Sequence, residues 1–586
     1  MNKIIKKGLF ILSIKERQEG VKVLFLAAVL SIVEVIGVAS VMPFLSILGN
    51  QNLIMANKSL AQLYDLSGVF GIENKYDFTV LIGVLTFIIT IFTALLRIYT
   101  HIQISLIVEK KRQSIGLRLL TEYTKREYRF FTSRNKVELA KNVLSEVDLY
   151  VENFIRPSLK GATSIITLAA IILFLIILNK EIAFFATLVF GLTYVLLFKL
   201  VRSRVTKLGA TMRKSNTERF KATDEILGGI KEIKILGNES TYLKKMEQTS
   251  LRFAMSKAKH QVISQTPKYI VEGVAFGALI LLALVLLLKN DNSSANTIGE
   301  ALPILGVYLF SAYRMQPAMQ QIFHGIVSIK FSEKIIDNLS NDFEQAKFNE
   351  RNRHPIQREL RIKRDLELRN ITFGYPGRQI GVLNDVNISI KQGETIGIIG
   401  ETGAGKSTLV DIILGLQKLE IGEIYIDGTI LNDENMRSYQ DQIGYVPQEI
   451  FMVDDTIAQN VALGEEEKIV NHERIREACK IAQIDQFIES ELPEKYHTVV
   501  GDRAVRLSGG QKQRIGIARA LYRKPSILIL DEATSALDSK TQRNIIRAIK
   551  CLRYPITVIM ITHRKSTLNY CDKTYHLEGQ KLSRIE

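Results

Sequence analysis

Long apolar runs divide the chain into two parts. Before about residue 320, apolar residues form uninterrupted stretches of about 20 positions, the length that crosses the hydrocarbon core of a bilayer. After residue 365, short β-rich runs such as 395–399 alternate with amphipathic helical patterns, as is typical of an α/β domain with a largely parallel sheet. A chain of 586 residues is also too long for one hydrophobic core. The pattern predicts an α-helical membrane domain over 1–345, a linker over 346–364 and an α/β domain over 365–586.

Six of the apolar runs are expected to cross the membrane. They lie near 23–48, 78–101, 159–179, 181–202, 268–289 and 299–322. Lysine and arginine are dense in the connections 102–158 and 203–267 and sparse in the others, which predicts that these two connections face the cytoplasm. Because six is an even number, both termini and the α/β domain are expected on the same, cytoplasmic, side. The amino terminus lacks the pattern of a cleaved signal peptide.

Each cytoplasmic connection is predicted to form a pair of helices that continue the flanking spans. We expect a turn near 135–138 in the first connection and near 216–219 in the second. These turns are candidates to press on the α/β domain and transmit its movement. The alternative is a solvated helical hairpin without a coupling role.

The net charge of +17 would favour nucleic-acid binding in a protein without membrane spans, but here most of the excess lies between the spans. We therefore expect membrane lipid, and no nucleic acid, as a partner. The three cysteines, Cys479, Cys551 and Cys571, lie in the second half without the spacing of a metal site, which is typical of a reducing cytoplasm.

A phosphate-binding loop lies at the start of the α/β domain. The run Gly-Glu-Thr-Gly-Ala-Gly-Lys-Ser at 400–407 follows an apolar strand and precedes a helical run, which is the context that this loop requires. Its backbone N–H groups can wrap phosphates, Lys406 can neutralise the β- and γ-phosphates of ATP, and Ser407 can bind Mg²⁺. The predicted ATP contacts of the loop are Gly400, Gly403, Ala404, Gly405, Lys406, Ser407 and Thr408.

Two acidic residues follow a second apolar strand at 526–530. Asp531 is the expected acid that holds Mg²⁺, and Glu532 is the expected general base for ATP hydrolysis. In the alternative, both acids cap the amino terminus of the helix that follows. The phosphate-binding loop upstream favours the catalytic interpretation.

A second candidate anion site has no ligand within one chain. Ser508, Gly509, Gly510 and Gln511 stand at the start of a predicted helix. The run Leu-Ser-Gly-Gly-Gln resembles the signature motif of ATP-binding cassette (ABC) proteins. The resemblance implies that this motif completes the ATP site of the opposite subunit, so that a second copy of the chain is a partner and two ATP molecules lie between the copies. A heterodimer with a similar chain stays open.

Further residues resemble the same family in the order that it uses. By this resemblance Tyr375 stacks on adenine, Gln448 senses Mg²⁺ and the attacking water, the loop 535–538 crosses the dimer, and His563 contacts the γ-phosphate beside Glu532. The resemblance implies Glu532, His563 and Gln448 as catalytic residues and Ser407, Gln448 and Asp531 as Mg²⁺ ligands. Together with the six spans, it implies a type I ABC exporter with an α/β P-loop nucleotide-binding domain. The run Gly-Asp-Arg-Ala at 501–504 departs from the family's usual Gly-Glu-Arg-Gly.

Charged residues at membrane depth are the candidates for recognising the transported molecule. Glu34, Arg97, Lys268, Glu272 and Arg314 lie in or near predicted spans, where a charge is costly unless it faces a cavity, a partner or the interface. Alternatively, Lys268 and Arg97 extend to the headgroups, and Glu272 pairs with Lys268.

Several segments of the membrane domain resemble bacterial flippases for the lipid-linked oligosaccharides of protein N-glycosylation. They are the amphipathic segment 52–65, Val-Met-Pro-Phe at 41–44, and the runs 267–273 and 312–317. The resemblance implies that Arg314, Lys268 and Arg97 attract an anionic pyrophosphate-linked glycan. Thr93 stands where this family usually has an arginine in the second span.

The leading hypothesis is an ATPase of the bacterial cytoplasmic membrane that moves a polyprenyl-pyrophosphate oligosaccharide to the outer leaflet. The alternative is an exporter of lipid A-type lipids or amphipathic drugs, which shares every ATPase motif. A peptide exporter is a third possibility. An amino-terminal peptidase-like domain before the spans would favour it, and the sequence shows none there. A channel that uses the α/β domain as a sensor is disfavoured because the residues expected at the catalytic site are present.

Overall fold

The chain forms two compact units in a computed structural model. The model describes residues 2–49, 51, 53–56, 58–68, 74–178, 180–289, 296–351, 360, 362–375, 381–501, 507–533 and 536–585. The first unit consists of Met1–Arg126 and Ser133–Glu350, and the second of Glu127–Thr132 and Arg351–Glu586. The second unit thus includes a short segment of the connection 102–158.

The first unit is built from α-helices, several of them more than 30 residues long. In chain order the helices from the amino terminus to residue 351, including α6 of the second unit, are α1 Asn2–Ile11, α2 Ile14–Gly49, α3 Leu53–Ala56, α4 Lys58–Ser67, α5 Lys75–Thr124, α6 Tyr128–Thr132, α7 Lys136–Lys141, α8 Val147–Tyr150, α9 Arg156–Leu178, α10 Lys180–Gly228, α11 Ile230–Leu236, α12 Glu239–Lys289, α13 Asn296–Phe331 and α14 Glu333–Arg351. Two π-helical turns, Asn142–Glu146 and Val151–Ile155, join α7, α8 and α9 into one continuous helical rod.

Five of the six predicted spans fall inside the helices α2, α5, α10, α12 and α13. The remaining span, 159–179, lies in α9 up to Leu178, and residue 179 is outside the described residues. Among the described residues, three helical stretches are long and apolar enough to cross a membrane, namely Ile14–Leu48, Lys75–Thr124 and Lys136–Leu178. The many exposed leucine, isoleucine and phenylalanine side chains on α5, such as Phe87 and Leu95, fit a helix that contacts lipid.

In the first lysine- and arginine-rich connection, the helices are interrupted between α6 and α7 at 133–135, next to the turn expected near 135–138. The segment that belongs to the second unit is Glu127–Thr132, whereas Asn135 caps α7 by accepting a hydrogen bond from the Val137 N–H at 2.8 Å. The turn expected at 216–219 is wrong, because α10 continues through these residues to Gly228. No glycine or proline interrupts 216–219, and the helix breaks only where two glycines, 228 and 229, follow each other.

A buried polar network joins the two lysine- and arginine-rich connections within the first unit. The side chains of Lys141 and Glu146 are 0% and 1% exposed, and Lys141 Nζ lies 3.0 Å from Glu146 Oε1. Arg213 Nε on α10 lies 3.1 Å from the same oxygen, and Lys141 Nζ donates to Thr217 Oγ1 at 2.9 Å. Because a buried charge is tolerated only with such partners, this network fixes the register of α10 against the rod.

The second unit is the predicted α/β domain. Its strands are β1 Asp365–Phe373, β2 Leu383–Lys391, β3 Thr395–Gly400, β4 Ile421–Ile426, β5 Thr429–Ile430, β6 Ile443–Val446, β7 Ile527–Asp531, β8 Thr557–Ile561, β9 Lys573–Glu578 and β10 Lys581–Ile585. Its further helices are α15 Lys406–Ile413, α16 Met436–Gln440, α17 Ile457–Val461, α18 His472–Ile481, α19 Asp485–Glu491, α20 Gly509–Tyr522, α21 Ser539–Lys550 and α22 Lys565–Leu568.

Two sheets share the core of this unit. The larger has the order β10-β9-β3-β8-β7-β6, and its strands are parallel except for β10. The smaller sheet, β2-β1-β4-β5, is antiparallel. Strands β3, β7 and β8 are almost wholly buried, which explains their continuous apolar sequences. Their parallel alignment brings the loops after β3, β7 and β8 to one edge of the sheet.

Close packing of α10 on α13 generates a stability prediction. A Cβ atom at Gly209 would overlap the backbone carbonyl of Phe331, whereas one at Gly191 on the same helix would meet no atom within 4 Å. We expect Gly209→Ala to lower stability by about 1–3 kcal/mol, because the backbones must move apart. Thermal unfolding of the purified full chain measures the change. Gly191→Ala is the control, and equal midpoints for the two variants would contradict the packing described here.

Candidate functional site

The phosphate-binding loop connects β3 to α15 with a backbone that glycine permits. Gly403 and Gly405 have φ values of 86° and 107°, in a region that residues with a side chain rarely adopt. A Cβ atom at Gly405 would also lie 3.1 Å from the carbonyl oxygen of Val382. Helix α15 begins directly after Gly405, so its first free N–H groups and its dipole favour an anion in this loop.

The side chain of Lys406 folds back onto the phosphate-binding loop. Its side chain is part of the loop's interior, with the residue only 7% exposed, and Nζ donates to the carbonyl oxygens of Gly400 at 2.9 Å and Glu401 at 2.8 Å. Burial lowers the pKa of Lys406, while the nearby carboxylates of Glu532 and Asp531 oppose this shift. An ammonium group that is largely desolvated and bound to neutral carbonyls gains strongly from an anionic phosphate.

Glu532 lies between the other two predicted catalytic residues. It follows β7 with a φ of 49°, an uncommon conformation for a residue with a side chain. Its Oε2 accepts a hydrogen bond from Gln448 Nε2 at 3.0 Å, and its Oε1 lies 2.9 Å from His563 Nε2. The loops after β6, β7 and β8 therefore bring Gln448, Glu532 and His563 together, as the resemblance implied.

Asp531 ends β7 beside Glu532. Burial, together with the neighbouring Glu532 carboxylate, raises the pKa of Asp531, and the Tyr445 hydroxyl donates to its Oδ2 at 3.5 Å. The alternative role of these acids as a helix cap is wrong. The next helix in the described part of the chain is α21, and its cap is Asp538, whose Oδ1 accepts from the N–H groups of Lys540 and Thr541 at 3.0 and 2.9 Å.

These groups line one cleft of about 1110 Å³. Tyr375 stands at its side, with its hydroxyl 3.2 Å from Thr408 Oγ1 and its ring edge-on to Phe373. The predicted contacts 403–408, Gln448, Asp531, Glu532 and His563 all line the cleft, and Gly400 lies next to it, where it binds Lys406. Sequence reasoning missed the lining residues Gly381, Val382, Glu401, Thr402, Leu577, Glu578, Gly579 and Gln580. The residues at 577–580 form the end of β9 and the turn to β10, and they carry no motif that would have identified them.

The cleft suits Mg²⁺ bound together with ATP. Ser407, Gln448 and Asp531 supply hydroxyl, amide and carboxylate oxygens, the ligand types that Mg²⁺ prefers. No group of three or more His, Cys, Asp or Glu side chains that could hold a metal ion occurs among the described residues. The residues therefore fit an ion that keeps water and phosphate oxygens among its ligands.

The signature residues lie apart from this cleft. Ser508 Oγ accepts from the Gln511 N–H at 3.2 Å, and Gln511 Oε1 accepts from the Ser508 N–H at 2.7 Å, which forms a capping box at the start of α20. None of the residues 508–511 is among the described residues that line the cleft. Of the other motifs, residues 502–504 and Ser535 lie outside the described residues.

The charges at membrane depth divide into two groups. Arg97 forms an ion pair with Glu34, and Arg314 interacts electrostatically with both residues. Lys268 is exposed and lies 5.9 Å from the ring of Tyr269. Thr93 is buried on α5, where its Oγ1 lies 3.3 Å from a Cβ placed at Gly37 of α2.

The structure does not support the alternative pairing of Glu272 with Lys268. Glu272 Oε2 instead lies 3.5 Å from Gln316 Nε2, and no ion pair between Glu272 and Lys268 is found in the described part of the chain.

Comparison with known proteins identifies the fold of this chain. The family model for the ABC transporter matches residues 383–535, and the model for the ABC transporter transmembrane region matches residues 24–313. A bacterial Atm1-family ABC exporter with ATP bound has the same fold, with a TM-score of 0.75 and 22% identity over 97% of this chain and 94% of that chain. The chain therefore has the type I ABC exporter fold, with a helical transmembrane domain and an α/β nucleotide-binding domain, as the sequence predicted.

Two relatives with named roles match part of this chain. The ATP-dependent lipid A-core flippases of Shigella sonnei (strain Ss046) and Escherichia coli (strain K12) are 32% and 31% identical to this chain over 382 residues. Each alignment covers 65% of this chain and 64% of the relative's length, so the chain matches slightly less than two thirds of these proteins.

The position of Tyr375 generates a binding prediction. Stacking of a base on an aromatic ring contributes about 1–3 kcal/mol, so Tyr375→Ala should weaken ATP binding roughly 5- to 150-fold. Tyr375→Phe keeps the ring and loses only the contact with Thr408, so it should bind ATP nearly as the parent does. Equilibrium binding of a fluorescent ATP analogue measures both variants. Equal losses in Phe and Ala variants would show that the hydroxyl, rather than the ring, holds the nucleotide.

Proposed function

We propose that this chain is one half of an ATP-driven exporter that hydrolyses ATP in the cleft at the edge of the parallel sheet. The observation that carries the proposal is the position of Glu532, held between Gln448 at 3.0 Å and His563 at 2.9 Å beside the phosphate-binding loop. A carboxylate held by two side chains next to a phosphate site is suited to general-base catalysis.

In the proposed reaction, the loop 400–408 binds the phosphates of ATP through its N–H groups and Lys406. Gln448 orients the attacking water, and Glu532 accepts its proton as the water oxygen bonds to the γ-phosphorus. The bond from the γ-phosphorus to the β–γ bridging oxygen breaks in the same step, and ADP and phosphate leave. His563 then contacts the γ-phosphate and stabilises the arrangement of Glu532. When bound, Mg²⁺ would neutralise charge on the β- and γ-phosphates.

The functional form is proposed to be a homodimer. The support is that Ser508–Gln511 form an ordered helix start away from the cleft of their own chain, so their anion-binding end is available to another copy. In a two-fold symmetric pair, each copy would close the ATP site of the other. Two composite ATP sites would then open and close together.

The transported molecule is proposed to be a lipid with a phosphate-bearing headgroup. The names of the relatives favour a lipid A-type lipid over the polyprenyl-pyrophosphate oligosaccharide of the leading sequence hypothesis. Both molecules combine phosphate charge with long apolar chains, and Arg97 and Arg314 provide cations at membrane depth. We place the protein in a bacterial cytoplasmic membrane with both termini in the cytoplasm, as the distribution of lysine and arginine predicts.

Transport in proteoliposomes tests this proposal. Wild type should hydrolyse ATP and move a labelled lipid A-type lipid between leaflets, and Glu532→Gln should lower both rates by roughly 10²–10⁴-fold while ATP binding persists. Glu578→Gln, at another acid that lines the cleft, is the control and should retain activity.

The choice of substrate separates the outcomes. Movement of a polyprenyl-pyrophosphate oligosaccharide, but not of the lipid A-type lipid, would replace the proposed substrate with that of the first hypothesis. ATP hydrolysis without movement of either lipid would leave the ATPase and overturn the proposed cargo. Full hydrolysis by Glu532→Gln would overturn the assigned general base.

A further inference from the structure

A carboxylate is buried at membrane depth in the first span. Glu34 lies near the middle of the span at 23–48 and its side chain is 3% exposed. Its Oε1 accepts a hydrogen bond from Arg97 Nε of α5 at 3.1 Å, and Arg97 Nη2 also donates to it. The second oxygen, Oε2, is buried and has no hydrogen-bond partner among the described residues. Half of the hydrogen-bonding capacity of this carboxylate is therefore unused.

A second cation belongs to the same cluster. Arg314 on α13 interacts electrostatically with Glu34, which attracts it, and with Arg97, which repels it. Its guanidinium lies 5.3 Å from the centroid of the Phe310 ring, and its Nε is buried without a hydrogen-bond partner in the described part of the chain. The cluster of Glu34, Arg97 and Arg314 thus combines two positive charges with one negative charge.

The packing of α2 on α5 fixes the position of the pair. A Cβ at Gly37, three residues beyond Glu34, would lie 3.3 Å from Thr93 Oγ1, and Thr93 is itself one turn before Arg97. This close approach of two helices at small side chains sets the register in which Glu34 and Arg97 meet. Arg97 nevertheless keeps 44% of its side chain exposed, so this side chain is only partly covered by its neighbours.

The depth of the cluster matches the headgroup of a lipid entering from the cytoplasmic leaflet. Arg97 and Arg314 precede the cytoplasmic ends of their predicted spans, residues 101 and 322, by four and eight positions. At about 1.5 Å per residue these distances are roughly 6 and 12 Å along the helices. The arginines therefore lie in the cytoplasmic half of the bilayer in the proposed orientation.

We propose that Glu34 is a built-in counter-ion, which occupies Arg97 when no substrate is bound and gives way to the phosphate of an anionic lipid. This inference rests on the proposed function, and in it the pair of Glu34 and Arg97 selects the substrate of the exporter. A cation at membrane depth is costly without a partner, so an empty site needs an anion of its own. A phosphate group replaces that anion with stronger, multiply charged contacts, whereas a zwitterionic headgroup carries its own cation and gains less from the exchange.

The counter-ion role makes a prediction that a purely structural ion pair does not. The cluster has a net charge of +1 in the wild type, +2 in Glu34→Gln, 0 in Arg97→Gln and again +1 in the double variant. Glu34→Gln should bind an anionic lipid about tenfold more tightly, equivalent to about 1.4 kcal/mol, and Arg97→Gln about tenfold more weakly. The double variant should return to within about threefold of the wild type, because Arg314 is then no longer opposed.

The experiment uses the full chain in nanodiscs and a fluorescent phosphatidic acid as the probe, with a phosphatidylcholine carrying the same chains for comparison. Binding of the phosphatidylcholine should change less than about threefold in every variant, since it lacks net charge. Glu272→Gln is the matched control, because Glu272 is another acid in a span and contacts Gln316 rather than an arginine. It should leave the binding of both probes unchanged.

Several results would overturn the proposal. They are unchanged or weaker binding of phosphatidic acid by Glu34→Gln, a double variant as weak as Arg97→Gln, or equal effects on both probes. If Glu34→Gln does not fold, Glu34→Met with Arg97→Met fills the same space without charge and should still bind phosphatidic acid as the wild type does. Weaker binding by that pair would reject the counter-ion role.

Transport is measured separately with the same variants, so that the two proposals fail independently. If wild type moves a phosphorylated lipid but Glu34→Gln binds phosphatidic acid no more tightly, the counter-ion is rejected and the exporter stands. If Glu34→Gln binds phosphatidic acid more tightly but wild type moves no lipid, the anion site stands and the proposed transport is rejected.

Discussion

The parallel alignment of β3, β7 and β8 is the constraint on which the ATP site depends. Residues 395–398 pair with 558–561, and Asp531 pairs with Ile561, so the carboxyl ends of these strands meet at one edge. Lys406 and His563 are 157 positions apart in the sequence, and Glu532 lies between them. All three residues line one cleft because each of them follows one of these strands. A shift in strand register would separate the phosphate-binding loop from Glu532 without changing any motif.

The membrane domain obeys a different constraint, because its charges must find partners away from water. Lys141 and Glu146 of the helical rod meet this requirement with Arg213 and Thr217 of α10. Within the spans, Glu34 and Arg97 meet it with each other. The first network is buried and fixes helix register, whereas the second leaves 44% of the Arg97 side chain exposed. In the proposed exporter, that difference separates a structural network from a site that exchanges its anion for a substrate.

Local patterns predicted much of this organisation, and contacts between distant helices account for what they missed. The apolar runs and the loop at 400–407 predicted the fold class because span length and loop chemistry are readable from neighbouring residues. The turn at 216–219 was wrong because Asn216 is polar for another reason: its Nδ2 donates to Ser145 Oγ at 2.8 Å. Likewise, no sequence spacing shows that Glu34 meets Arg97, since this depends on how α2 packs on α5 at Gly37.

The most direct test of the central claim is the amount of ATP retained by a mixed dimer. All copies carry Glu532→Gln to prevent turnover, one copy also carries Lys406→Ala, and the other carries Ser508→Arg. We expect the mixed dimer, isolated with two affinity tags, to retain one ATP through gel filtration. The two dimers in which both copies carry the same second substitution should retain none. Only the mixed dimer combines an intact phosphate-binding loop with an intact partner signature. Retention by the Ser508→Arg dimer, or its absence from the mixed dimer, would contradict an ATP site built from two copies.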